Sequence, residues 1–380
     1  MNSLTGYMRR FRITVYWNSG EVSTDLSNYI IAWTYNDYLT KNIDYITLTI
    51  SDDGQRMIKD SFPKIGDLIK VWISCNYWYS NHKKEIKKYF GAFAIDNMSA
   101  NFPPSTVQIR ARALPLTSTS SREIKSKSWE KTSLRTIAQY IATQCGLELK
   151  FEGEDFKYDR IQQTNQTDLE FLYKLTTEQQ KSMKISSLKD KSKNILWIQD
   201  EEVLEKQTPI LTITPESELI NRSLNVDFTS IYKSAEVISQ NSKKKGVVKS
   251  TATSTEDVKG VERKLVVKKR VSDRASAERL AKNALKEKNK RKWIATLTLP
   301  IGDPFTRAGV VYKLKDFGKF SRNYLVEEVV HSGGASGYTT TVTMRGIEEI
   351  KSKVETTVTV PPQKVKARKA RKRRGKMKRK

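Results

Sequence analysis

Apolar and polar side chains alternate along the first third of the chain. Phe11-Arg12-Ile13-Thr14-Val15, Tyr45-Ile46-Thr47-Leu48-Thr49-Ile50, Leu68-Ile69-Lys70-Val71-Trp72-Ile73 and Val107-Gln108-Ile109-Arg110-Ala111 all follow a period of two. That spacing puts every second side chain on one face of a strand. Asp52-Asp53-Gly54, Pro63, Gly66 and Pro103-Pro104 punctuate the runs as turns. One apolar face per strand suits a small antiparallel barrel or sandwich. Residues 1–115 are therefore predicted as one β domain.

The period changes after Pro115. Leu134, Ile137, Ala138, Ile141, Ala142 and Cys145 recur at helical spacing, with Thr132 or Ser133 as cap and Gly146 as stop. A strand-like Leu147-Glu148-Leu149-Lys150-Phe151 follows. Thr167-Asp168-Leu169-Glu170 is a capping-box pattern, in which the hydroxyl and the Glu carboxylate satisfy N–H groups at a helix start. It opens a short helix carrying Leu169, Leu172 and Leu175. Residues 116–225 are predicted as a mixed α+β domain.

From residue 239 to 269 Ser, Thr and Lys dominate, and the segment is expected to be mainly an exposed loop. A third helix is predicted near Ser272, with the stripe Ala277, Leu280, Ala281, Ala284 and Leu285. Strands return at residues 293–299, 310–314, 324–330 and 339–344. Residues 226–355 are thus predicted as a second β domain with a long polar loop and one helix, and residues 356–380 as a basic tail. The two β-rich ends echo each other. Ile46-Thr47-Leu48-Thr49-Ile50 matches Ala295-Thr296-Leu297-Thr298-Leu299. Pro63-Lys64-Ile65-Gly66 before Val71 matches Arg307-Ala308-Gly309 before Leu314, and residues 89–95 match 324–330. The order is kept in both halves. Chance similarity and duplication are both open on this pattern alone.

Charge adds a partner class. The 380-residue chain has room for two or three domains and carries a formal net charge of +27. Twelve positive charges are Lys364, Lys366, Arg368, Lys369, Arg371, Lys372, Arg373, Arg374, Lys376, Lys378, Arg379 and Lys380; without them +15 remains. Such a surplus is drawn to polyanions or acidic protein surfaces. Like charges with almost nothing apolar between them predict a disordered tail. No run approaches the roughly 20 apolar residues of a membrane span, so no membrane insertion is expected, and no secretory leader is recognisable. Cys75 and Cys145 lack metal-ligand spacing.

The segment Arg160-Ile161-Gln162-Gln163-Thr164-Asn165-Gln166-Thr167-Asp168-Leu169-Glu170-Phe171-Leu172 resembles the Q-x-N-x-x-D-x-x-F-L signature of phage late-control protein D and related contractile-tail baseplate hubs. The hub portion of type VI secretion spike proteins carries a similar signature. Three further stretches agree in order: Ala113-Leu114-Pro115 before Trp129, the helix at 134–146, and Tyr324-Leu325-Val326 to His331 followed by Gly337-Tyr338-Thr339-Thr340. The resemblance implies an α+β protein in which two tube-like antiparallel β-barrel domains flank a mixed middle domain. It implies a homotrimeric baseplate hub, in which two similar units per chain adapt a three-fold spike to a hexameric tail tube. The implied partners are a central spike protein, a tail-tube or tube-initiator protein and a tape-measure protein, with transient DNA contact. The implied location is the baseplate of a virion or tail-like particle, assembled in the bacterial cytoplasm. The structural signature comprises Gln162, Gln163, Asn165, Asp168, Phe171 and Leu172. Its amides are expected to bond backbone at a domain junction, with Asp168 at the positive end of a helix dipole and Phe171 and Leu172 in the core. No appended spike, β-helix or cell-wall hydrolase domain is recognisable, and the basic tail is foreign to the family pattern. The tail, from Lys364 to Arg374 and beyond, is expected to engage an acidic protein groove or the tape measure, or else nucleic acid.

Candidate chemistry is sparse. The only histidines, His82 and His331, stand far apart, as a hairpin tip and a strand end. Asp200-Glu201-Glu202 and Asp52-Asp53 are adjacent carboxylates in polar sequence, expected as solvated loop or salt-bridge residues rather than a pair across a sugar cleft. No phosphate-loop, nucleophile-elbow or zinc-protease pattern occurs. The expectation is a non-enzymatic protein with no cofactor and no metal. The rival readings are a basic nucleic-acid-binding protein, favoured by charge, and a peptidoglycan-hydrolysing hub.

Overall fold

The computed structural model describes residues 8–19, 22–59, 62–64, 66–78, 85–113, 123–187, 194–241, 246–254, 263–269, 271, 274–347 and 352–359. His82, Leu114-Pro115, Pro361-Pro362 and the basic tail from Lys364 to Lys380 lie outside the described residues.

The first β unit contains β1 (Arg10–Ser19), β2 (Val22–Asp25), β3 (Ile30–Tyr38), β4 (Tyr45–Ser51), the single-turn α1 (Arg56–Lys59), β5 (Leu68–Asn76), β6 (Ile86–Asn101) and β7 (Thr106–Arg112). Alternation fixes the faces. In β4, Ile46, Leu48 and Ile50 are buried, while Thr47 and Thr49 lie half-buried on the opposite side. Asp52 is buried and its carboxylate accepts the Met57 N–H at 2.8 Å, starting α1.

The middle region contains β8 (Lys125–Ser133), α2 (Leu134–Gln144), β9 (Glu148–Phe151), β10 (Lys157–Gln166), α3 (Asp168–Glu178), β11 (Lys181–Ser187), β12 (Asn194–Asp200) and α4 (Glu201–Glu205). Both predicted helices form where their local signals lie. Ser133 caps α2 by accepting the Thr136 N–H, and Gly146 turns out of it at φ +67. Both arms of the capping box are made at α3. The apolar stripes of α2 and α3 close one core with the three-stranded sheet β11-β12-β9.

The rest comprises β13 (Leu211–Ile213), β14 (Asn221–Val226), β15 (Ser234–Asn241), β16 (Gly246–Ser254), β17 (Lys264–Lys268), α5 (Arg274–Asn289), β18 (Trp293–Leu299), β19 (Val311–Leu314), β20 (Arg322–Gly334), β21 (Gly337–Gly346) and β22 (Ser352–Thr359). Three boundaries differ from the sequence reading. The expected polar loop at 239–269 is largely sheet: β15, β16 and β17 join β22 in a four-stranded layer. Its inward positions, Ala235, Val237, Val248 and Ala252, pack under Ala277, Leu280, Ala281 and Leu285 of α5. Small residues suffice because a helix lies directly on them, so the strands need few large apolar side chains. β13 and β14 pair with the second β unit rather than with the middle region. β22 crosses the expected start of the tail at residue 356.

The two β units share one topology. Across the sheet the first runs β3-β4-β7-β6-β5-β1 and the second β14-β18-β21-β20-β19-β13. Numbered along the chain, with the inserted β2 and β15–β17 set aside, both orders are the same permutation. Register agrees as well. Ala111 lies opposite Ile46 and Ile95, as Met344 lies opposite Ala295 and Val326. Both ladders then slip by one residue, at Asp96 and at Glu327. A bulge of this kind leaves one residue unpaired and bends the strand. The bulged carboxylate is held in the same way each time: Arg112 pairs Asp96, and Arg345 pairs Glu327 at 3.3 Å. Gly66 and Gly309 adopt φ +94 and +99 at corresponding turns. Two of the three echoes in the sequence therefore have the correct register. The third is displaced, because the bulges set Tyr324 against Phe93 rather than Tyr89. The copies differ at one edge, where β1 is antiparallel to β5 but β13 is parallel to β19.

The units are not separate closed barrels. After its bulge β20 leaves β19 and pairs with β3, Glu328 opposite Tyr38 through to Gly334 opposite Ala32. This joint merges both units into one 13-stranded sheet that stays open among the described residues. Thr47, Thr49, Thr296, Thr298, Thr341 and Thr343 lie half-buried on one face of that sheet.

Candidate functional site

The signature residues form a knot where the β8/β10 hairpin meets α3. Gln163 is buried, and its amide donates to the Gln166 carbonyl at 3.1 Å and to Asp168 Oδ1 at 2.9 Å. Asp168, the first residue of α3, also accepts from Lys125 Nζ at 2.8 Å. A carboxylate here answers the positive end of the helix as well as two donors. Its hydrogen bond raises the pKa of Lys125. Asn165 sits at φ +47 in a ladder slip and exchanges hydrogen bonds with Ser126. Phe171 and Leu172 are buried, Phe171 stacking on Trp129. Gln162 is exposed opposite Ser128 and stands outside the knot.

The junctions between the three regions hold a second set of polar groups, which the sequence reading did not single out. Lys184 of β11 pairs with Asp37 of β3 and lies 3.7 Å from Asp44. Asp37 also accepts the Ala308 N–H at 3.2 Å, so one carboxylate binds the first unit, the middle region and the second unit. Burial raises the Asp44 carboxyl to about 8 against the pull of Lys184, with Asp37 adding to the rise. Burial lowers Lys184, but Asp37 and Asp44 outweigh it and hold the ammonium above its ordinary value. Asn194 donates to the Ala92 and Ala113 carbonyls at 3.3 and 2.7 Å, and Ser187 accepts the Ala92 N–H at 3.0 Å.

A larger cluster surrounds Arg345. This buried guanidinium reaches Glu201 at 3.1 Å, Glu205 at 2.7 Å and Glu327 at 3.3 Å. Lys290, the residue just past α5, donates to Glu201 at 2.9 Å and to Glu287 at 2.6 Å. Burial raises Glu201, yet Lys290 and Arg345 together carry it below its ordinary value. Glu201 is thus a buried ion-pair centre, the salt-bridge alternative of the expectation rather than the solvated-loop one. Its neighbours follow the expectation: Asp200 pairs Lys181 at 2.6 Å and exposed Glu202 pairs Lys206 at 2.6 Å. Only Asp37 left a signal, a charge in phase with Trp33 and Tyr35, whereas Lys184 and Arg345 occupy ordinary polar positions beside Met183 and Met344.

His331 lies in the joint between the β units. Its ring stacks on Tyr35 with centroids 5.8 Å apart, and Nε2 donates to the Thr306 carbonyl at 3.2 Å. Nδ1 is then the acceptor for Tyr338 Oη at 2.8 Å. Burial pushes its pKa down to about 4. These groups clamp backbone and one another, and no group of three His, Cys, Asp or Glu converges as metal ligands among the described residues. An open cleft of about 410 Å3 does present cationic groups, Lys41, Arg110 and Arg112, beside Tyr38 and Tyr45. Arg110 stands 4.4 Å over the Tyr45 ring.

No protein-family model and no curated protein matches the chain. Solved structures do. A 43 kDa tail protein of prophage MuSo2 from Shewanella oneidensis is 11% identical with a TM-score of 0.64, over 87% of this chain and 98% of that one. A tail protein from Neisseria meningitidis is 11% identical with a TM-score of 0.62, over 88% and 96%. An Escherichia coli component of the type VI secretion system is 11% identical with a TM-score of 0.52, over 88% and 77%. The likeness is one of fold, to phage tail proteins and a type VI secretion component, and the β-rich character that the resemblance implies is found, while closure of each β unit into a barrel is not seen among the described residues.

Two outcomes follow from the buried charges. Replacing Arg345 with Met leaves Glu201 and Glu205 short of a cation in a dry site, and denaturant unfolding should show a loss of about 3–5 kcal/mol. Arg345→Lys should lose less. The second concerns pH. His331 has a folded pKa below its unfolded value of about 6.5, so between these values the unfolded chain binds more protons. Its contribution is therefore intact above pH 6.5 and falls away on acidification toward pH 4, by about 3 kcal/mol in all. Unfolding measured across that range should show a shallower acid loss in His331→Asn than in the parent.

Proposed function

We propose that the chain is a structural baseplate hub of a contractile phage tail or tail-like particle. The observation that carries this reading is the repeated topology: one strand permutation, one bulge position and one bulge ion pair occur twice in a single chain. A trimer of such chains presents six near-equivalent β units, while each chain still has one site for a three-fold partner. That is the requirement for an adaptor between a spike and a hexameric tube. The likeness to tail proteins supports the same assignment at the level of fold.

In this reading the mechanism is mechanical. The polar junctions fix the two β units relative to each other, so that a partner meets a rigid platform. The chain acts without catalysis, placing the spike and tube-initiator proteins in the baseplate of the assembled particle. The Lys364-to-Lys380 tail reaches an acidic protein surface, such as the end of the tape measure, rather than reading nucleic acid. Charge alone favours the nucleic-acid alternative, and salt dependence separates the two.

Averaged electron microscopy of the particle should show three-fold density with two β units per chain; a six-membered ring with one unit per subunit would remove the adaptor argument. For the tail, DNA affinity and particle assembly should be compared between the full chain and one ending at Pro362. Loss of assembly with little change in DNA binding is the expected result. If about half the tail charges met phosphates, affinity would instead fall by roughly three decades between 50 and 200 mM salt, and truncation would abolish that dependence while particles still formed.

A further inference from the structure

The joint inside the chain has a counterpart that the chain leaves open. Beyond its bulge, β20 is covered on one edge by β21 and on the other by β3. The corresponding positions of the first unit are residues 97–101 of β6, and the strand corresponding to β3 is β14. Among the described residues each has a strand on one side only, β7 for the β6 arm and β18 for β14. Six strands separate the two edges in the sheet, so they do not meet within one chain. An exposed run of N–H and C=O groups is a template for a further strand.

The apolar groups at these edges correspond too. At the inner joint the Leu39 N–H donates to the Glu327 carbonyl at 2.8 Å, and the Leu39 side chain is buried with Val311 and Leu325. Phe228 occupies the place of Leu39, Leu68 that of Val311 and Ala94 that of Leu325. Phe228 is 52% exposed and Leu68 40% exposed. The second site thus has the parts of the first with its cover removed. Its buried polar members are also replaced: Val226 stands for Asp37, Leu224 for Tyr35 and Ala100 for His331. A joint without buried charges leaves none unpaired when it opens, which suits surfaces that fold first and meet later.

We infer that these edges join copies of this chain: β14 of one copy pairs antiparallel with residues 97–101 of β6 in the next. The inner joint supplies the register, with Met98 opposite Val226, Ser99 opposite Asn225 and Ala100 opposite Leu224, and with Phe228 seated on Leu68. The two edges differ, so the contact is head-to-tail and closes a ring only by rotation. The inference rests on the hub reading for the number of chains in that ring, but not for the pairing itself.

Cysteine pairs test the register. The Leu39–Glu327 bond marks which opposed pairs carry hydrogen bonds. By alternation Ser99 and Asn225 fall on a pair without them, where side chains approach most closely. The native Cys75 and Cys145 are buried. Assembled particles carrying both Ser99→Cys and Asn225→Cys are oxidised and run on non-reducing gels. Covalent ladders ending at three chains are expected, with each single variant remaining monomeric. A ladder that continues past three would uphold the pairing and overturn the trimer. A three-fold ring visible by microscopy without any cross-link would overturn the register and leave the trimer standing. Phe228→Asp provides the second arm. Its exposed position should leave circular dichroism and unfolding unchanged, while incorporation into particles drops at least ten-fold. Incorporation at the parent level would overturn the inference.

Discussion

Seven residue pairs between β20 and β3 hold the molecule together as one body. Without that ladder each β unit would end in an unpaired strand edge, and the middle region would bridge two loosely related domains. Forming it brings Trp33, Tyr35, Trp78, Phe90, His331 and Tyr338 into one aromatic cluster across the boundary. Trp33 lies so close to Gly333 that a Cβ there would fall 2.4 Å from the indole. Closeness of this order fixes the lateral position of the strands, which backbone hydrogen bonding alone allows to slip by two residues.

Around the ladder, buried ions set orientation. Hydrophobic contact is nearly indifferent to small rotations, whereas Asp37 must satisfy Lys184 and the Ala308 N–H together, and Arg345 three carboxylates at once. Taking such charges out of water costs several kcal/mol each before their partners offset it. The benefit lies in geometry more than in stability. Arg345 also shows how the two copies have diverged. Arg112, its counterpart, keeps only the bulge carboxylate and remains partly exposed beside the cationic cleft, while Arg345 has gained α4 as a lid.

What the sequence made legible was local. The capping box at Thr167 and the Ser133 cap are decided within four residues, and both helices began where those residues lie. The strands with Ile, Val and Leu at every second place were equally plain. β15, β16 and β17 were not, because their inward Val237, Val248, Leu265 and Val267 are interspersed with buried Ala235, Ser239, Ser250 and Ala252, and the helix that covers them begins up to 40 residues downstream. The third echo was aligned on matching tyrosines, and only the bulges at Asp96 and Glu327 reveal the true offset. The β20–β3 joint was invisible for a different reason: residues 32–38 and 328–334 are nearly 300 positions apart, and nothing local in either names the other. Of the signature residues, those in the Gln163–Asp168 knot behave as a packing device, and the ions at the junctions had no motif to announce them.

Carrying both β units on one chain also changes the order of the assembly reaction. The encounter between β20 and β3 is intramolecular, governed by an effective concentration on the order of millimolar rather than by how much protein a cell makes. It is complete once the chain has folded and is unaffected by dilution. The same ladder formed between two separate single units would instead need a collision sensitive to supply. Here the two units enter any assembly only as a pair. Counting is built into the polypeptide itself.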